Sequence, residues 1–219
     1  MIHCIGDSHA AIFSGCKEMI DIWSPHARTK NESNFFKAYR IGPSTATGLA
    51  TKIPFINGIL TFSPVDKIND KVMFCFGEID IRAHIMKEHL EKNKDLDELI
   101  RNSIDEYFKT VLFYKKLGYN MMIWGPIASW NESKPYTGPG WPTYGTCLQR
   151  NHVTRLFNEY LEKKCKDNDI PFITIFYDML MEDGKTNPIY LDDWDECHIH
   201  LIPSSFDFVV KKFKNMGFI

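Results

Sequence analysis

The sequence lacks long apolar runs and an excess of charge of either sign. No stretch approaches the roughly 20 apolar residues that a membrane-spanning helix needs, so a membrane partner is not expected. The 26 basic and 28 acidic residues give a formal net charge of -2, which leaves no electrostatic footprint for nucleic acid. Residues 1–6 lack the basic and long apolar regions of a signal peptide, which favours a cytoplasmic protein.

Paired cysteine motifs are also missing. The six cysteines include no C-x-x-C pair, and Cys4 and Cys75 lie in apolar runs where a free thiol acts as a small hydrophobe. An even count leaves disulfides open, but a cytoplasmic chain of this size favours free thiols.

What is present is a regular alternation of apolar runs with helical patterns. The 219 residues, 44% of them hydrophobic, suffice for one domain that spans 1–219. The alternation predicts an α/β fold, a three-layer α/β/α sandwich around a parallel sheet of five strands. The predicted strands are 2–5, 35–41, 71–76, 121–124 and 171–176, and the predicted helices are 10–20, 45–51, 96–117, 148–165 and 204–214, with Ser204 as the cap of the last one.

A serine directly follows the first predicted strand. In open parallel sheets ligands bind beyond the carboxyl ends of the strands, so Ser8 would lie at that edge and begin a helix. Backbone N–H groups there favour a developing oxyanion. The alternative is that Asp7 or Ser8 only caps the helix.

A second candidate pair lies near the end of the chain. Asp195 stands three residues before His198, a spacing at which an acid can orient an imidazole that serves as a base. The alternative is a surface loop in which the two residues occur by chance.

Together these features resemble the SGNH, or GDSL-like, hydrolase family. The family's four blocks have counterparts here in the same order: Gly6-Asp7-Ser8-His9, Gly42, Gly77-Glu78-Ile79-Asp80 and Asp195 to His198. The resemblance spans nearly the whole chain and implies a flavodoxin-like sheet, a nucleophilic Ser8, a base at His198 supported by Asp195, and no cofactor. It also implies that the N–H groups of Ser8 and Gly42 form the oxyanion hole.

The third block departs from the family, because Ile79 stands where the family has an oxyanion-binding asparagine. Losing one such donor typically costs about 10²–10³ in turnover. Either two N–H groups suffice, or Arg82 supplies charge, or the site binds without fast hydrolysis. The alternative for Glu78 and Arg82 is a simple ion pair on a helix.

His200 competes with His198 for the role of base, since His200-Leu201-Ile202-Pro203 also resembles the family's last block. Only His198 has an acid three residues before it, which favours His198. The reading of this segment as a zinc site lacks a second cluster of matching ligands, so no metal is expected.

The segment 129–145 is rich in proline, glycine and aromatic residues, which predicts a long loop. Its aromatic residues either stack on a sugar ring or pack the loop against the body of the protein. Candidate substrate-binding residues are Asp7, His9, Gly77, Glu78, Asp80, Arg82 and Trp141.

The resemblance favours a serine esterase that removes a small acyl group, such as acetyl, from a small molecule or glycan. An O-acyltransferase and a non-catalytic carbohydrate-binding module on the same fold are the alternatives. The sequence does not indicate an oligomeric state.

Overall fold

The computed structural model describes residues 1–14, 34–63, 65–130, 142–191 and 201–219. Five parallel strands form one sheet in the order β2-β1-β3-β4-β5. This confirms the predicted α/β class and the five-stranded parallel sheet. The strands are β1 (Ile2–Gly6), β2 (Phe36–Arg40), β3 (Lys71–Cys75), β4 (Met121–Trp124) and β5 (Phe172–Ile173).

The α-helices described in these ranges are α1 (Ile53–Phe62), α2 (Met86–Lys92), α3 (Leu96–Lys116), α4 (Cys147–Asp167) and α5 (Phe206–Asn215). Helices α3 and α4 confirm the helices predicted over 96–117 and 148–165. The helix predicted over 45–51 is wrong: a 3₁₀ turn over Leu49–Lys52 leads into α1 instead. Gly58 weakens the helical signal of α1, whereas Pro54 lies in its first turn, where proline is tolerated. The helix is stabilised by burying Ile56 and Ile59.

Side chains of the strands alternate between two apolar layers. Ile5 and Phe74 face the layer that contains α1, α3 and α4, whereas Cys4 and Met73 face the layer that contains α5 and the 3₁₀ helix Ser8–Ser14. Helices therefore cover both faces of the sheet, as the three-layer prediction requires.

Helix ends are set by local hydrogen bonds. The Asp95 carboxylate accepts from Glu98 N at the start of α3, and Thr146 and Gln149 form a reciprocal capping box at the start of α4. The prediction that Ser204 caps the last helix is wrong, because a 3₁₀ turn over Pro203–Ser205 precedes α5 and no side chain caps it.

The order of the strands locates the crevice where ligands bind in such sheets. The chain passes from β1 to β2 at one edge, then crosses to β3 on the other side of β1. Connections that leave neighbouring strands in opposite directions open a crevice at their carboxyl ends. The turns after β1 and β3 border this crevice.

In the ranges that the structure describes, no helix has the length and apolar character needed to cross a membrane. Cys4, Cys75, Cys147 and Cys165 are buried free thiols.

Candidate active site

The turn after β1 presents Ser8 at the carboxyl edge of the sheet. Gly6 ends β1 between β2 and β3, where an added Cβ would lie 2.5 Å from the Cys75 carbonyl oxygen, so only glycine fits. Ser8 is the first residue of the 3₁₀ helix Ser8–Ser14 and is 5% exposed. Close packing of three strands thus fixes the point at which the chain turns into Ser8.

Gly42 lies on the neighbouring turn, after β2. Ile41 N donates to Gly6 O at 2.9 Å, which continues the pairing of β1 and β2 past their ends. Gly42 follows with a φ of +83°, in the left-handed region that glycine adopts without strain. The turns that carry Gly42 and Ser8 are therefore held side by side.

The turn after β3 also depends on a glycine. Gly77 has a φ of +119°, and an added Cβ would lie 2.8 Å from Pro126 Cγ and 2.9 Å from Phe157 Cε1. This close approach directs the next residue, Glu78, toward the turn that carries Ser8.

Four ionisable residues meet between the turn after β1 and the turn after β3. We call Asp7, His9, Glu78 and Arg82 the charged cluster. His9 Nε2 lies 3.1 Å from Glu78 Oε2, and Arg82 Nε lies 2.8 Å from Glu78 Oε1. Arg82 also donates from Nη1 to Pro142 O at 2.8 Å. The Glu78 side chain is 12% exposed and those of His9 and Arg82 are less so, so these ion pairs are largely shielded from water.

Burial and charge shift the pKa values of the cluster in opposite directions. Burial raises the pKa of Asp7 to about 6, although His9 opposes the shift through its charge and its N–H. Burial alone would lower the pKa of His9, but the hydrogen bond and the charge of Glu78 outweigh the effect of burial, so the pKa of His9 is raised. Burial would raise the pKa of Glu78, whereas Arg82 and His9 together lower it to about 2. The positive charge of Arg82 and His9 thus keeps Glu78 ionised.

The cluster borders a small pocket at the carboxyl ends of β1, β3 and β4. Its walls are mostly apolar, with acidic and imidazole groups on one side. The lining residues are Asp7, His9, Cys75, Phe76, Glu78, Trp124, Pro126 and Ile127.

Asp80 was grouped with the substrate-binding candidates, but it is 1% exposed and its carboxylate is engaged in the interior. Its Oδ2 accepts from Ala46 N at 2.6 Å, and its Oδ1 accepts from the N–H and the hydroxyl of Thr47. The Ser103 hydroxyl is a further donor, at 3.3 Å. Asp80 therefore anchors the loop that follows Gly42.

Arg82 likewise lies within the scaffold, at 3% exposure. Its carbonyl accepts from Tyr144 N at 3.0 Å, and its guanidinium holds Glu78 and Pro142. These contacts include the ion pair with Glu78 that was the simpler alternative, and they also tie the third block to the residues before α4.

Four of the candidates lie outside the described residues: Trp141, Asp195, His198 and His200. The chain that enters and leaves the segment 192–200 is nevertheless held together. Leu191 pairs with Leu201 in an antiparallel bridge, and Ile202 N donates to Tyr190 O at 2.9 Å.

The described ends of the predicted loop 129–145 pack against the protein. Trp130 is 7% exposed and lies beneath the Arg150 guanidinium, 5.6 Å from it. Lys87 Nζ lies 5.6 Å from the centre of the Tyr144 ring. For these two aromatic residues, the interpretation as packing residues fits better than stacking on a sugar.

Sequence reasoning missed the residue that holds these ends together, the fully buried Arg150. Nothing in its sequence context distinguishes it from an exposed helical arginine. The Thr146-x-x-Gln149 spacing is a capping-box pattern that would have located the start of α4. Among the described residues, no group of three His, Cys, Asp or Glu side chains is arranged to hold a metal ion.

No protein-family model matches the chain, and none of the curated proteins matches it. Solved structures do match. A GDSL-like lipase from Bacteroides thetaiotaomicron is 14% identical, with a TM-score of 0.58 over 98% of this chain and 86% of that one. An acetyl xylan esterase is 14% identical, with a TM-score of 0.54 over 99% of both chains. A catalytic mutant of an acetylxylan esterase from Geobacillus stearothermophilus is 12% identical, with a TM-score of 0.56 over 100% of this chain and 94% of that one.

The chain therefore has the fold of the GDSL-like hydrolases over essentially its whole length. This agrees with the first three sequence blocks, which follow β1, β2 and β3 in the expected order.

Proposed function

We propose that the protein is a serine esterase that removes a small acyl group, namely acetyl, from a carbohydrate or glycan. The observation that carries the proposal is the position of Ser8. It begins a helix at the carboxyl end of β1, in the crevice between β1 and β3, beside the turn of Gly42. Acetyl xylan esterases share this fold, which supports the choice of acyl group and of a glycan substrate.

In the proposed reaction the Ser8 hydroxyl oxygen attacks the ester carbonyl carbon while His198 takes its proton. Asp195 orients His198 and stabilises its charged form. The tetrahedral intermediate collapses, and the alcohol leaves with the proton from His198. Water then attacks the acyl-enzyme, gives a proton to His198 and releases the carboxylic acid, after which Ser8 regains its proton.

The oxyanion is held by the backbone N–H groups of Ser8 and Gly42. Ile79 cannot donate a hydrogen bond, and the Arg82 guanidinium is committed to Glu78 and Pro142. We therefore propose a two-donor hole rather than one completed by Arg82. A missing donor typically costs about 10²–10³ in turnover, so modest rates are expected.

Covalent labelling tests the proposal directly. A fluorophosphonate probe is expected to label the wild-type protein at Ser8, identified by mass spectrometry of the peptide that carries it, because an activated serine attacks phosphorus as it attacks an ester. The same preparation should release acetate from p-nitrophenyl acetate and from acetylated xylo-oligosaccharides.

The absence of both labelling and hydrolysis would contradict the esterase proposal and favour a binding module. Acetyl transfer to an added sugar, in place of acetate release, would identify the alternative transferase.

The base is expected to be His198. His198→Ala should lower kcat/KM by about 10⁴-fold or more, since without its base Ser8 is a weak nucleophile. His200→Ala, two residues away, is the matched control and should retain most of the activity. Steady-state kinetics with p-nitrophenyl acetate compares the two, and the reverse pattern would assign the base to His200.

A further inference from the structure

Asp7 directly precedes Ser8, yet its side chain is completely buried. Its Oδ1 accepts a hydrogen bond from His9 N at 2.9 Å. This contact from residue i to the N–H of residue i+2 is the geometry of an Asx turn. It closes a small ring around the Ser8 backbone, so the Asp7 carboxylate helps to fix the direction of the Ser8 side chain. Because its side chain is completely buried, the contact with His9 N places the Asp7 carboxylate to hold this turn.

The second oxygen of Asp7 is unusual. Within the described part of the chain, Asp7 Oδ2 is buried and accepts no hydrogen bond. A buried carboxylate oxygen without a partner is costly unless nearby charge offsets it. The charge near Asp7 is therefore part of the explanation for its position.

Ionisable groups surround Asp7 from the 3₁₀ helix, from β3, from the segment after β3 and from α3. His9 lies on the 3₁₀ helix that follows, Glu78 and Arg82 lie after β3, Cys75 ends β3, and Tyr107 lies on α3. Cys75 and Tyr107 remain neutral, because burial raises the pKa of each well above its ordinary value. While His9 is protonated, the positive charges of Arg82 and His9 exceed the single negative charge of Glu78 by one. An ionised Asp7 makes the charged cluster neutral.

We propose that Asp7 is a positioning residue for Ser8. Its carboxylate orients Ser8 through the hydrogen bond with His9 N, and its negative charge balances the charge of the His9–Glu78–Arg82 group. The inference rests on the proposed function, since orientation of Ser8 matters only if Ser8 is a nucleophile. Protonation of Asp7 weakens the acceptor for His9 N, because a neutral carboxyl forms weaker hydrogen bonds than a carboxylate. It also leaves the cluster with an unbalanced positive charge.

The proposal predicts how the rate at which Ser8 reacts depends on pH. Burial raises the pKa of Asp7 to about 6, so Asp7 is ionised above that pH and protonated below it. The rate at which Ser8 reacts should therefore fall as pH is lowered through about 6. This loss adds to the protonation of the proposed base, so the acid side of the wild-type profile should contain two ionisations.

The test compares Asp7→Asn with Asp7→Ala. Asparagine keeps the acceptor oxygen but cannot ionise, whereas alanine removes both. Asp66→Ala is the matched control, because Asp66 Oδ1 makes the same contact with Ile68 N, at 2.9 Å, on an exposed turn away from the site. For each protein, kcat and KM for p-nitrophenyl acetate and the rate of fluorophosphonate labelling are measured from pH 5 to pH 9.

We expect D7A at pH 8 to lose about tenfold or more in kcat relative to D7N, with KM changed little, because a misdirected nucleophile slows chemistry rather than binding. D7N should show one ionisation on the acid side where the wild type shows two. D66A should follow the wild type in both respects. If D7A fails to fold, the pH profile of D7N by itself tests the inference.

A D7N profile with the same two ionisations as the wild type would overturn the inference, as would equal kcat values for D7A and D7N. In either case an active and labelled wild type leaves the esterase proposal intact. A wild type that is neither active nor labelled overturns both.

Discussion

The Ser8→Ala variant is expected to lose about 10⁴- to 10⁶-fold of the wild-type kcat for p-nitrophenyl acetate. The reason is that alanine removes the proposed nucleophilic oxygen, while the backbone N–H groups of the proposed oxyanion hole stay in place. Alanine is smaller than serine and suits the first turn of a helix, so the fold should be retained. The melting temperature and kcat together separate lost chemistry from lost structure.

Ser14→Ala is the matched control, since Ser14 is a buried serine on the same 3₁₀ helix. It should keep activity near that of the wild type. A Ser8→Ala protein that folds and still hydrolyses the ester within about tenfold of wild type would exclude Ser8 as the nucleophile.

The largest effect on stability is expected at Arg150, which is fully buried in the first turns of α4. Its Nε donates to the Ser129 hydroxyl at 2.6 Å. Its Nη1 donates to Gly145 O at 2.6 Å and its Nη2 to Trp130 O at 2.8 Å. One guanidinium thus joins the chain that leaves β4 to the chain that enters α4.

Arg150→Met should lower the free energy of unfolding by about 3–5 kcal/mol, because it removes three hydrogen bonds from a charged group, each of which contributes about 1.5–3 kcal/mol, along with the cost of burying that charge. Methionine fills a similar volume but removes the donor from one buried and two partly buried acceptors. Chemical denaturation with urea measures the change. Arg150→Lys should recover part of the loss, because a lysine cannot reproduce the planar fork of donors.

Arg155→Met on the same helix is the matched control. Arg155 is 45% exposed and pairs only loosely with Glu159, at 3.4 Å. Its removal should cost less than about 1 kcal/mol, as exposed ion pairs do. Equal losses for the two variants would contradict the role given to Arg150.

The parts of the fold that could be predicted are those with a strong local signal. The apolar runs of β1, β3 and β4 and the periodic patterns of α3 and α4 each identify an element by themselves. Helix α1 was missed because Gly58 opposes its local signal, and tertiary packing outweighs that preference. The predicted final strand contracts to two residues in β5, where the chain pairs with β4 alone at the edge of the sheet.

In the candidate site, too, some residues could be placed from the sequence and some contacts could not. Ser8, Gly42 and Gly77 could be placed because each follows a predicted strand. The contact of His9 with Glu78 spans 69 residues, and that of Asp80 with Thr47 spans 33. No local pattern specifies such pairs, so the inward-facing role of Asp80 was not foreseen.

The sequence by itself determined that this protein has an alternating α/β architecture and that a serine and several glycines stand at the ends of its strands. Apolar periodicity and turn residues act over a few neighbours, so they can be read along the chain. Only the tertiary structure decided which charged residues meet, that Asp7 is buried among them, and that Arg82 and Arg150 hold the scaffold. Burial and pairing of charge depend on which distant segments the sheet and helices bring together, and that is a property of the packed chain.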